Sequence, residues 1–193
     1  MLGACKKSSD DAKEETNVTI NGQSYATVKI GAQTWTAVNY NGTGGEDHSS
    51  GNDSYGKLYT WEEAKSIQLP SGWRLPNKTD YEKLIAEVGG QKNEFGYWGD
   101  EAVTKKLSST NGWLLNQGDN TSGFNAFPGG LVMKITEPQF EKKGESAVFW
   151  STTKFSATSE DRFVLYIDNT YNETTIESDY RYYKASIRFV KDN

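Results

Sequence analysis

The 193 residues contain one cysteine and one histidine. A metal centre rich in either residue cannot be assembled, and no internal disulfide can form. A Cys–His dyad would have to recruit Cys5 from a polar N-terminal stretch. Phosphate-cradling glycine loops of the GxGxxG or GxxxxGK[ST] type are missing. No apolar run approaches the roughly 18 residues expected of a membrane-spanning helix. Basic residues are the minority, 21 against 26 acidic, and the net charge of −5 argues against general binding to nucleic acid. Hydrophobic residues reach only 35%, yet aromatics reach 13%, so the chain should fold around an aromatic core rather than remain disordered. The 19 glycines, among many Asn, Ser and Thr, suggest turns and short strands rather than a helical bundle.

The N-terminus carries a chemical signal. Met1-Leu2-Gly3-Ala4-Cys5 resembles the end of a bacterial lipoprotein signal, in which small residues precede a cysteine that is acylated. Residues 6–16 (KKSSDDAKEET) are wholly polar and read as a tether. The run Ser8-Ser9-Asp10-Asp11 is similar to the acidic export signal of surface lipoproteins in Bacteroidetes-like bacteria. The expected organisation is therefore a signal remnant at 1–4, a lipidated Cys5 with a disordered tether to 16, and one domain over 17–193. The expected location is the outer membrane, as a surface-exposed lipoprotein.

Strand and helix signals follow in order. Val18 to Ile20, Asn21-Gly22 and Ser24 to Ile30 spell a hairpin, because Asn-Gly accepts positive φ at both turn positions. Gly31-Ala32 breaks the chain before another strand from Gln33, and residues 39–56 form a long polar loop. Thr60-Trp61-Glu62-Glu63 predicts one helix start, and Thr79-Asp80-Tyr81-Glu82 a second. The second helix aligns Tyr81, Leu84, Ile85 and Val88 in one stripe and stops at Gly89-Gly90. A third short helix is expected over Glu101 to Leu107. Near the C-terminus, Tyr183, Ala185, Ile187 and Phe189 alternate with Lys184, Ser186 and Arg188, which predicts a strand with the second set facing solvent. The fold class expected is α+β, with N- and C-terminal strands paired.

Several motifs fall in one order: Val28-Lys29-Ile30-Gly31, Gln33-Thr34-Trp35, Tyr55 to Trp61 (YGKLYTW), Gly72-Trp73-Arg74-Leu75-Pro76, Gly123 to Gly130 (GFNAFPGG), Phe149-Trp150-Ser151-Thr152 and Ile187-Arg188-Phe189-Val190. Together they resemble the Fibrobacter succinogenes major paralogous domain, a family of bacterial envelope and lipoprotein modules. That resemblance extends over nearly the whole chain and implies a C-type-lectin-like fold with paired terminal strands, two to three helices and long loops. It also touches sulfatase-modifying enzymes on a similar scaffold, but those use cysteines in the folded body, and iron-dependent relatives use a His cluster. Here the only histidine, His48, sits in the polar loop.

Lectin-like domains hold sugar through calcium on Glu-Pro-Asn and Asn-Asp motifs. Glu137-Pro138-Gln139 and Asp168-Asn169 are the nearest equivalents, with Gln in place of Asn and the second pair inverted. These residues are candidate calcium ligands, although no cofactor is required by the sequence. Glu46, Asp47, Asn52 and Asp53, and Asp119, Asn120 and Ser122, supply further oxygens but also suit solvated turns. Burial is expected for Trp35, Trp61, Trp73, Trp113 and Trp150. Tyr97-Trp98, flanked by Gly96 and Gly99, is the candidate for stacking on a sugar or a partner protein. The function expected is a non-catalytic, surface-exposed lipoprotein binding module, adhesin-like or glycan-associated, which meets a glycan or a surface protein. The alternatives are a structural subunit of an envelope complex and a glycan hydrolase built on two carboxylates.

Overall fold

The computed structural model describes residues 16–47, 53–93, 99–133, 139–178 and 184–193. Strands β1 (Thr16–Ile20) and β2 (Gln23–Ile30) pair as the expected hairpin, with Asn21 at φ 49° and Gly22 at φ 82°. Strand β3 (Gln33–Thr36) follows the break at Gly31. Two short strands, β4 (Glu46–Asp47) and β5 (Lys57–Leu58), pair across the polar loop, with a 3-10 turn at Asp53–Tyr55. Three helices are present among the described residues: α1 (Trp61–Ser66), α2 (Lys78–Glu87) and α3 (Glu101–Leu107). The remaining strands are β6 (Leu131–Val132), β7 (Phe140–Glu141), β8 (Ser146–Lys154), β9 (Arg162–Asp168), β10 (Glu173–Ser178) and β11 (Val190–Asp192). The domain thus mixes a few helices with many antiparallel strands, and its first strand begins at Thr16, one residue before the expected boundary.

The main sheet has the order β1-β2-β3-β11, and a second sheet has the order β10-β9-β8. The two ends of the chain therefore meet in one sheet, but β11 pairs with β3, not with β1. The second sheet lies between two apolar cores. One core gathers Trp35, Tyr81, Leu84, Ile85, Leu107, Phe124, Phe149 and Leu165; the other gathers Val18, Ile20, Tyr40, Tyr59, Trp150, Val164, Ile187 and Phe189. Neighbours such as Phe149 and Trp150, or Val164 and Leu165, thus face opposite cores, which explains the unbroken apolar runs in β8 and β9.

This arrangement corrects one expectation. Arg188 and Ser186 do not face solvent; both are fully buried. Ala185, Ile187 and Phe189 enter the second core, while the Arg188 guanidinium lies over the rings of Phe124 and Phe149, 4.7 and 5.3 Å from their centroids, in the first. The regular strand is also shorter than expected, with isolated bridges at Ala185 and Ser186 before β11.

A second correction concerns the start of α2. The cap is Asn77, not Thr79: Asn77 Oδ1 accepts the Asp80 amide at 2.9 Å, and Asp80 Oδ2 accepts the Asn77 amide at 2.7 Å. Asp80 is the third residue of the helix in this box, so it cannot also follow the cap directly. The α1 box forms as expected, with Thr60 Oγ1 accepting the Glu63 amide at 3.2 Å and Glu63 Oε2 accepting the Thr60 amide at 2.8 Å. Trp35, Trp113 and Trp150 are buried, whereas Trp61 and Trp73 are half-buried. Among the described residues, no helix is long and apolar enough to cross a membrane.

Candidate functional site: the clamped loop end

Two loops meet beyond the end of α3. In the first, Trp113 turns inward and its Nε1 donates to Ser109 Oγ at 3.0 Å. The chain then turns outward, and the Leu114 amide donates to the Gly144 carbonyl at 2.7 Å. Gly144, at φ 80°, lies directly under the Leu114 side chain; a methyl group there would stand 2.8 Å from Leu114 Cγ. The second loop joins β9 to β10. Asp168 ends β9, and its Oδ1 accepts the amides of Thr170 at 2.8 Å and Tyr171 at 3.1 Å. Its Oδ2 accepts the Tyr166 hydroxyl at 3.1 Å and faces Lys142 Nζ at 3.6 Å.

Asn169 fastens the two loops together. Its side chain donates to the Asn116 carbonyl at 2.6 Å, and Asn116 donates in return to the Asn169 carbonyl at 2.7 Å. Ser108 Oγ, at the end of α3, donates to Asn169 Oδ1 at 3.0 Å. The clamp is buried at Ser108 and Asn169, yet the residues it carries are not. Leu114 is 69% exposed, Leu115 56% and Tyr171 74%. Hydrogen bonds behind the surface thus hold apolar side chains in water, where they gain little from folding.

Electrostatics around the clamp are local. Tyr166 and Asp168 hold the Lys142 ammonium above its ordinary value, against the opposing effect of burial. Burial raises the Tyr166 hydroxyl, with Asp168 adding to the shift and Lys142 opposing it. Glu173 is raised by burial, then by Glu177 and Asp168.

The candidate calcium ligands are distributed as follows. Gln139 is exposed just before β7, and Glu137 lies outside the described residues. Asp168 is buried and engaged by two amides, a phenol and an ammonium. Both the side-chain and main-chain oxygens of Asn169 already accept hydrogen bonds. Among the described residues, no group of three or more His, Cys, Asp or Glu is placed to hold a metal ion. Three of the other acidic positions are also occupied: Glu46 pairs with Lys184 at 2.7 Å, Asp47 with Lys57 at 3.8 Å, and Asp119 caps its own turn through Thr121. Cys5, His48, Asn52, Tyr97 and Trp98 lie outside the described residues.

Residues 28–191 match the sequence profile of the Fibrobacter succinogenes major domain. The chain belongs to that family. No curated protein and no solved structure matches it. The segment shared with the Fibrobacter succinogenes major domain contains the whole clamp as well as Arg188, whereas β1 precedes it. The pair Leu114-Leu115 was not singled out in the sequence. Its signal is two consecutive leucines after Trp113 in a stretch whose other residues are Asn, Gly and Gln (NGWLLNQG), with no strand or helix period around them.

Proposed function

We propose that this Fibrobacter succinogenes major domain is a non-catalytic binding module with a C-type-lectin-like architecture, displayed on the outer membrane through a lipid on Cys5. Its role is adhesin-like, and the partner it meets at the loop end is a protein. The observation that carries this reading is the exposure of Leu114, Leu115 and Tyr171 on loops pinned by buried hydrogen bonds. Exposed apolar and aromatic side chains on loops whose backbone is already pinned suit a protein contact, because the loops need little further ordering when they are covered. The N-terminal pattern ending in Cys5 and the polar tether support display at a membrane; acylation with more than one chain makes attachment stable.

The test uses fluorescently labelled domain on intact cells and isolated envelopes. Binding that is removed by protease treatment of the target and lost in Leu115→Asp or Tyr171→Ala supports the reading. Binding unaffected by both variants overturns it. Labelling of cells with a palmitate analogue, in wild type and Cys5→Ala, tests the anchor; equal release of both forms into the soluble fraction refutes it. Turnover of a polysaccharide, abolished by one Glu or Asp substitution, would replace a binding role with a hydrolytic one.

A further inference from the structure

Three of the four outer edges of the two larger sheets are closed by chain from elsewhere in the domain. Arg74 bridges Val190 on β11, with amide-to-carbonyl distances of 3.0 and 2.9 Å. Gly99 bridges Thr174 on β10, and Gly130 and Ser186 bridge Ala147 and Phe149 on β8. The exception is β1. Among the described residues it pairs with β2 alone, and no backbone bond reaches its other edge. We propose that this edge joins a second copy of the chain, β1 to β1 and antiparallel, across a two-fold axis at Val18.

The turn decides which groups face outward. Asn21-Gly22 is a two-residue turn, so its flanking residues Ile20 and Gln23 exchange both backbone bonds. The exchange recurs at every second pair, Val18 with Tyr25 and Thr16 with Thr27. Asn17 and Thr19 therefore turn their N–H and C=O groups away from β2. The opposite strand agrees: the carbonyl of Ala26, which stands across from Asn17, points away from β1 and accepts the Ala37 amide at 2.8 Å. Two outward residues centred on Val18 are their own complement. With Asn17 opposite Thr19 of the second copy, and Thr19 opposite its Asn17, four backbone hydrogen bonds close and the four-stranded sheet becomes one of eight.

The side chains fit the same register. It sets Val18 against Val18 and Thr16 against Ile20, β-branched pairs that suit neighbouring strands. Edge strands are commonly guarded by Lys, Pro or a bulge; β1 (TNVTI) has none of these, and its register with β2 is unbroken.

Charge favours this place and this direction. Each chain carries −5, so two copies repel in general, and β1 is an uncharged strip on which they can meet. Glu14 and Glu15 come directly before Thr16 in the sequence, so parallel strands would bring the like charges of two chains together. Antiparallel strands start at opposite ends of the joint. The segment matched by the family begins at residue 28, so the joint lies outside the part shared with the family.

Sedimentation equilibrium of the purified full chain, from micromolar to millimolar concentration, tests this. The average mass should rise with concentration from one chain toward two, and the Asn17 and Thr19 amides should exchange with deuterium more slowly as it does. Thr19→Pro removes one outward N–H from each copy, two of the four bonds, without taking a bond from β2. It should weaken association about tenfold or more. A charge swap checks the register. Asn17→Lys/Thr19→Lys and Asn17→Glu/Thr19→Glu each set like charges opposite one another and should be monomeric alone, while their mixture should pair. These positions are exposed and their substitution spares the fold, so the swap decides the matter even if Thr19→Pro is unstable. Leu115→Asp and Tyr171→Ala should leave association unchanged, which keeps this joint distinct from the protein contact at the loop end. A chain that stays monomeric throughout, association unchanged in Thr19→Pro, a mixture of folded swap variants that fails to pair, or a dimer abolished by Leu115→Asp would overturn the proposal.

Discussion

Asn116 and Asn169 each donate a side-chain N–H to the other's backbone carbonyl, at 2.7 and 2.6 Å. The exchange fixes the spacing of two loops that share no strand pairing among the described residues. Asn169→Ala removes its side-chain half of this exchange and leaves the buried Ser108 hydroxyl without its acceptor. A loss of about 2–3 kcal/mol is expected, from unpaired buried polar groups rather than from lost apolar area. Scanning calorimetry should show Tm lower by roughly 5–10 °C. Proteolytic cutting within residues 112–117 should accelerate, and cell binding should fall with it.

A second relationship predicts how stability depends on pH. Asp80 caps α2 and also receives both terminal nitrogens of Arg74, with Nη2 donating to Oδ1 at 2.9 Å, and the Gln33 amide at 2.7 Å. Burial alone would raise its carboxyl, but Arg74, the Asn77 amide and Gln33 outweigh burial and hold it below the ordinary 3.8. A carboxyl lowered by folding contributes stability above its unfolded value, and that contribution disappears as pH falls through the folded value. Asp80→Asn should therefore be less stable at neutral pH by about 2–4 kcal/mol, since it breaks a buried pair. The gap from wild type should narrow as the pH falls below 3.8, which urea titrations across acidic pH would measure. A constant gap down to pH 2 would refute the assignment.

Local signals in the sequence were read correctly where one residue pair decides the geometry. Asn21-Gly22 and Thr60 with Glu63 act through backbone preferences and bonds within three residues, so no tertiary information is needed. The start of α2 was displaced because Asn77 and Thr79 both stand before a plausible partner, and only Asp80's packing against Arg74 selects Asn77. Arg188 was placed on the wrong side for a different reason. Period-two alternation assumes that one face of a strand meets water, and here both faces meet a core. The loop-end clamp was illegible because Asn116 and Asn169 are 53 residues apart and each looks like an ordinary turn residue.

Calcium offers a direct check on the loop end. Asp168 already accepts two backbone amides and a phenol, and Asn169 has no oxygen left unengaged. To bind a cation there, the turn into β10 would have to surrender its caps. Addition of millimolar calcium, or of EDTA, should leave Tm unchanged within about 1 °C, since a ligand that binds only the folded state must raise it. A calcium-dependent rise in Tm abolished by Asp168→Asn would contradict this account.

Arg188 gives the most demanding prediction. Its side chain is fully buried, and burial draws its guanidinium down to about 9, so it is protonated at neutral pH. No carboxylate is paired with it among the described residues; five hydrogen bonds go to oxygens instead. Nε and Nη2 reach Asn39 Oδ1 at 3.1 and 2.8 Å, Nη1 reaches the Thr36 and Phe124 carbonyls at 2.7 and 2.6 Å, and Nη2 reaches the Asn125 carbonyl at 2.7 Å. The planar fork thereby ties β3, the polar loop and residues 124–125 to the chain just before β11. Lysine retains the charge but concentrates three donors at one point, so it cannot reproduce that pattern. Arg188→Lys should cost about 3–5 kcal/mol, comparable with removing a partner from a buried charged network. Urea unfolding should show the lower midpoint with an unchanged slope, and the loss should not depend on salt, because no ion pair is screened. A loss below about 1 kcal/mol would mean that the five bonds do not hold these segments together.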